Sequence, residues 1–282
     1  MRIPIPEMDS RFSCTEDAMM RFIRISKVIV DKAKIVFPST SVSDMPGYCL
    51  EFCRKVLIQA ETLVDVARKR EDYCTVCSLV RMLADNIATI NLIYCRQDDE
   101  ERVLRHLLYV LDGIQIRHKL LKDREVMYDG KIPKETFDAL YMQVEGAKQN
   151  AAECIKYCVD TIKKSPYYTT SQTDLEELIS RRNWKFKCIS KPKDTYSWKE
   201  MYGMLEIKTA DEMFPYLSQY VHGLSVSNIA LNDVDDFDAP LSFAICLLGC
   251  LFHFLRRLYE PQIGEYTWDD IQTMVPEMIE NS

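Results

Sequence analysis

An all-α multi-helix bundle is the fold class this sequence predicts, and three observations predict it. Only 8 of the 282 residues are Gly, so turns are few and the connected segments are long. Apolar residues recur at three- and four-residue spacing along those segments, which is the helical period and not the alternating period of a strand. One segment, 73–95, is apolar nearly all round, as a helix at the centre of a bundle must be. The chain is long enough to bury a core without a metal or disulfide staple. Its 47% apolar and 28% charged residues are near globular averages, which excludes a disordered chain or a long coiled coil.

In chain order, the spacing predicts helices over 16–36, 46–70, 73–95, 100–123, 133–164, 172–182, 197–224 with a break, 240–259 and 267–280. Pro38 and Pro46 bracket a Ser/Thr-rich loop between the first two. In 73–95, Val76, Leu79, Leu83, Ile87, Ile90 and Tyr94 form one stripe, while Ala84, Ala88 and Leu92 cover much of the rest. The stripe of 100–123 is Leu104, Leu107, Leu108, Leu111 and Ile114. That places His118 on the buried side and Arg102, His106, Tyr109 and Arg117 opposite, with His106 solvated. Asp129-Gly130 marks a turn, and Pro133 suits the first turn of the next helix. Ser165-Pro166 closes the longest helix, after which the composition becomes basic and aromatic. We therefore expect a single helical domain over 1–282, with 166–200 as a linker or excursion. Residues 184–190 alternate, allowing at most one short strand or hairpin there. In 209–224, Met213, Phe214, Leu217, Val221 and Leu224 form the apolar side, and Asp211, Ser218 and His222 share the other. In 240–259, the bulky Ile245, Leu248, Leu251, Phe252 and Leu255 oppose the stripe Ser242, Cys246, Gly249, Cys250, His253 and Arg257.

The net charge of −7 repels polyanions at long range and argues against a protein that coats nucleic acid, though not against a local basic patch. Eleven scattered cysteines, several inside apolar helical stripes, read as small hydrophobes in a reducing cytoplasm. The N-terminal residues lack the continuous apolar stretch of a secretory signal.

Four constellations bear on chemistry. Arg81 and Asp85 lie one turn apart on the most apolar helix, where a charged pair is costly unless both members find partners. This is either a structural ion pair or a polar site at the bundle centre. The residues best placed to join it are Tyr216, Ser218, Tyr220 and His222, so Arg81, Asp85, Tyr216, Ser218 and His222 form the candidate polar cluster. A Ser/His/Asp triad on one unbroken helix is rejected, because it lacks the strained turn and oxyanion hole a serine nucleophile needs. Second, 181–199 carries Arg181, Arg182, Lys185, Lys187, Lys191, Lys193 and Lys199 among Trp184, Phe186, Tyr196 and Trp198. Cations with stacking rings suit RNA or single-stranded DNA, and Arg181, Arg182, Trp184, Lys185 and Lys187 are the candidate contacts. The alternative is a solvated basic loop anchored by its aromatics. Third, Cys246, Cys250 and His253 have metal-like spacing but no fourth ligand, so close helix packing is expected and zinc is not. The same helix has an apolar run of about 15 residues, short of the roughly 18–20 that span a bilayer. Fourth, 232–238 lacks the central Gly and terminal Glu of an EF-hand. No Gly-rich phosphate loop is present, and no cofactor is implied.

The segments Ser78-Leu-Val-Arg81-Met-Leu-Ala-Asp85 and Tyr216-Leu-Ser218-Gln-Tyr220-Val-His222-Gly resemble two helices of an uncharacterised bacterial all-helical family, a domain of unknown function. The match covers about 70–260. Such proteins look distantly like HEPN-type helical bundles, many of which are ribonucleases in toxin and phage-defence systems. Their signature is an Arg followed by a His after four to six residues, whereas Arg102 to His106 leaves three. The resemblance thus implies the fold, and no catalytic role is carried over.

Three readings follow. The leading one is a helical binding or interaction protein, a bacterial stress or phage-defence component, with RNA, single-stranded DNA or a protein as partner. The alternatives are a metal-independent HEPN-like ribonuclease using Arg81, Asp85 and His222, and a membrane-associated helical protein.

Overall fold

The computed structural model describes residues 15–69, 72–122, 127–221 and 237–264. Ten helices occur among them: α1 (Thr15–Val36), α2 (Met45–Lys69), α3 (Tyr73–Tyr94), α4 (Asp99–Lys122), α5 (Lys134–Ile162), α6 (Pro166–Thr170), α7 (Gln172–Arg181), α8 (Trp198–Gly203), α9 (Ala210–Val221) and α10 (Asp238–Ile263). No strand occurs among the described residues, and one antiparallel bridge joins Phe186 to Thr195. The protein is all-α. The helix expected at 267–280, residues 232–236 of the acidic loop and His222 lie outside the described residues, and Asp238 opens α10.

The chain divides into two compact units, one made of the residues up to Cys95 with those from Ser197 onward, the other of Arg96–Tyr196. The basic excursion expected over 166–200 is split accordingly, with α6, α7 and the Phe186–Thr195 bridge in the second unit and α8 in the first.

In the first unit, α1, α2, α3 and α10 each pack on the next and α10 returns to α1, closing a ring of four long helices. The side of α3 not taken by α2 and α10 is covered by α8 and α9. That placement explains the apolar circumference of α3: Val76, Val80, Leu83, Ala84, Ile87, Ala88, Ile90, Leu92 and Ile93 are all buried. Each large aliphatic there contributes about 1.5–3 kcal/mol by leaving water. Asp72 starts α3 by accepting from the Thr75 backbone N–H at 2.9 Å, and those Thr75 bonds hold its carboxyl below the usual range. The single helix with a break expected at 197–224 is two helices, parted by a turn in which Glu206 takes a left-handed φ of 56°. Ser197 starts the shorter one, α8, with a capping box against Glu200.

α10 runs for 26 residues, and its buried arc is broader than a single bulky face. It takes in Phe243, Ala244, Leu247, Cys250 and Phe254, while Ile245 and Phe252 are half-buried. By length and composition, α3 and α10 are apolar enough to cross a membrane, yet 61% and 56% of their most apolar windows are buried inside the protein.

In the second unit α4 packs on α5 and α6 on α7. Two readings of α4 need correction here. His106, expected to be solvated, is 1% exposed, and His118, expected on the buried side, is only half-buried. The helix buries its N-terminal half, from Leu104 to Leu111, over an arc wide enough to include Arg105 and His106; no residue from Asp112 to Lys122 is buried.

Candidate functional site

The first polar cluster grows out of α3. Arg81 and Asp85 are one turn apart and ion-paired, with side chains 14% and 34% exposed. The pairing is held from two further helices. From α9, Ser218 Oγ accepts from Arg81 Nε at 3.2 Å while donating to the Phe214 carbonyl at 2.8 Å. From α8, the Tyr202 hydroxyl donates to Asp85 Oδ1. The Arg81 guanidinium also lies 4.9 Å from the Tyr202 ring and 5.5 Å from that of Phe214, two rings that stack on each other. Burial lowers the Arg81 pKa, and burial raises that of Tyr202 against the opposing pull of the guanidinium.

The structure therefore brings Arg81, Asp85 and Ser218 together. Tyr216 and Tyr220 instead join a second knot with Tyr73: the Tyr73 and Tyr216 hydroxyls are 2.6 Å apart, and Tyr220 donates to Tyr216 at 3.1 Å. Burial raises Tyr73 and Tyr220 well above the usual phenol range, and the knot links α3 to α9. Sequence reasoning missed Tyr202. Its only signal was the capping box at Ser197, which separates α8 from α9 and so gives Tyr202 its own direction of approach.

The second cluster centres on a residue the sequence reading did not single out. Arg105 of α4 is 1% exposed. Its Nε donates to Glu101 Oε1 at 2.7 Å, Nη1 to the Trp184 carbonyl at 2.8 Å and Nη2 to the Phe186 carbonyl at 2.8 Å. The Phe186 ring lies 3.9 Å below the guanidinium. Burial lowers the Arg105 pKa, with the Glu101 bond opposing it. One guanidinium thus fixes the backbone of the basic segment at two alternate residues, and the Asn183 amide adds a bond to the Pro192 carbonyl at 2.9 Å.

This anchoring settles where the aromatics of the segment face. Trp184 and Phe186 are buried, with the Trp184 ring edge-on to Tyr109 at 5.3 Å. Lys185 lies over the Trp184 ring at 5.6 Å, and Lys187 over the Tyr196 ring at 5.6 Å. Arg181 bonds to Glu177 at 2.9 Å, and Arg182 stands 3.6 Å from Asp112. Trp184 and Phe186 are structural anchors, Tyr196 and Trp198 are half-buried, and Lys185 and Lys187 are half-exposed.

On α10, Cys250 points its thiol at the Leu205 carbonyl at 3.8 Å, and Gly249 faces the Phe22 ring of α1. Burial pushes the Cys158 and Cys250 thiols up to about 12, which keeps them protonated and inert. No disulfide links any of the ten described cysteines, and among the described residues no three His, Cys, Asp or Glu side chains gather as a metal site requires.

No family model, curated protein or solved structure matches the chain.

Proposed function

We propose that the protein is a non-enzymatic helical binding protein, and that the basic face of its second unit contacts the phosphates of RNA or single-stranded DNA. The observation that carries this reading is the Arg105 clamp. It fixes the carbonyls of Trp184 and Phe186, turns both rings inward and leaves the intervening Lys185 and the following Lys187 half-exposed on a held backbone. Because those two rings are covered, recognition runs through charge-assisted bonds to phosphate and not through base stacking, so it is independent of sequence and sensitive to salt. The acidic remainder of the chain confines binding to this patch. The ten described cysteines, none of them bridged, suit a reducing cytoplasm.

A ribonuclease reading draws less support. Arg81 is already engaged by Asp85, Ser218 and two rings, which is the arrangement of a brace between helices.

The test is fluorescence anisotropy with a short single-stranded RNA at low salt. A Lys185→Glu/Lys187→Glu variant should bind at least about tenfold more weakly, with a salt slope smaller by about 1–2. Equal binding by the variant, or none by the parent, refutes the reading.

A further inference from the structure

Beside the clamped segment lies a depression of about 300 Å³ whose walls include Arg181, Arg182, Lys185, Lys193, Thr195 and Asp112. Two features set it apart from a general basic surface.

The first is its boundary. Arg182 stands beside Asp112, which forms part of one wall, and Lys193 also borders a neighbouring depression lined by Glu177 and Asp194. Carboxylates therefore border the cationic area on two sides, with Lys191 beside those of the second. A polyanion running across it would carry its next phosphates against them, whereas a single phosphoryl group meets four cations with one carboxylate, Asp112, in the wall. A terminal phosphomonoester is close to a dianion at neutral pH, while an internal phosphodiester carries one charge. The dianion gains more from so compact a cluster.

The second feature is the backbone of Arg182. It ends α7 in the left-handed region at φ 54°, ψ 36°, with its N–H bonded back to Ile179 and Leu178 and the Asn183 N–H bonded to Leu178. This is the helix-ending position that glycine fills at least cost. An arginine there carries strain, and its ion pair with Asp112, long at 3.6 Å and partly exposed, is too weak to offset it. Strain of this kind persists where the side chain is needed. Arg181 and Lys193 are held by Glu177 at 2.9 and 3.7 Å, solvent-facing pairs that a phosphate displaces readily.

We infer that this depression is a subsite for the terminal phosphate of a nucleic acid strand, with Arg182 as its principal ligand. The inference rests on the proposed nucleic-acid reading and deepens it.

The experiment compares one RNA oligonucleotide in three forms, 5′-phosphorylated, 3′-phosphorylated and unphosphorylated, by anisotropy with the full chain. One phosphorylated end should bind about tenfold tighter than the unphosphorylated form, the gain expected of an added pair of charge-assisted bonds, and millimolar inorganic phosphate should erase that advantage. Arg182→Gly should bring the phosphorylated and unphosphorylated strands to equal affinity, a ratio that a general loss of one cation leaves unmoved, and should melt no lower than the parent, because glycine relieves the left-handed backbone. Equal affinity for all three forms overturns the terminal-phosphate subsite and leaves the nucleic-acid reading intact. Absence of binding by any form overturns both. A full preference retained in Arg182→Gly overturns the assignment of Arg182.

Discussion

Arg81 and Arg105 solve the same problem with opposite means. Each sits on a helix packed into a core, and each has a carboxylate one turn away, but Arg81 precedes its partner whereas Glu101 precedes Arg105, the order that suits the helix dipole. Arg81 spends its remaining capacity on a side chain from another helix and on two aromatic faces. Arg105 spends its own on the backbone carbonyls of a segment with almost no regular structure. The first arginine fastens helices that already have apolar reasons to pack. The second ties to α4 a segment whose own turns and single bridge set its local path.

Substitutions should separate the two roles. Arg105→Met should have the largest effect, a loss of about 2–4 kcal/mol in denaturant titration, because it leaves the Trp184 and Phe186 carbonyls without their buried donor, while Glu101 keeps its pair with Arg96. Residues 184–196 should also become the first site of limited proteolysis. Wild-type protease resistance in that variant would show that the clamp does not organise the segment. Arg81→Met should lose about 1–3 kcal/mol, since Asp85 is one-third exposed to water and keeps its bond from Tyr202. A variant as stable as the parent would reduce the pair to surface decoration. Ser218→Ala, which removes one neutral partner of Arg81, should cost about 0.5–1.5 kcal/mol and leave the proteolytic pattern of 184–196 unchanged. A change in that pattern would join two clusters that the comparison keeps apart.

Much of the fold was legible because α3 announces itself. A segment apolar on every side admits one position, and its two charges, one turn apart, admit few partners. Ser218 was legible for the same reason, lying on the polar side of an amphipathic helix. Tyr202 was not, because the break expected within 197–224 had no assigned position, and the turn at Glu206 puts Tyr202 and Ser218 on separate helices. Arg105 and His106 were hidden differently. A helical wheel drawn for one apolar stripe assigns every polar residue beside it to water, and it fails where the buried arc is wide. The acid-before-base spacing of Glu101 and Arg105 was the one clue available. Trp184 and Phe186 carried the right composition for stacking, and only the Arg105 clamp reveals that their faces are taken.

The brace on α3 also has a history during synthesis. Tyr202 follows Asp85 by 117 residues and Ser218 follows Arg81 by 137, so the central helix leaves the ribosome long before either partner exists. In that interval Arg81 and Asp85 have only each other and water. Two solvated charges in the middle of the most apolar helix are what a nascent chain needs to avoid sticking to its neighbours. The pair thus interrupts the apolar run of α3 until α8 and α9 are made and half-bury it.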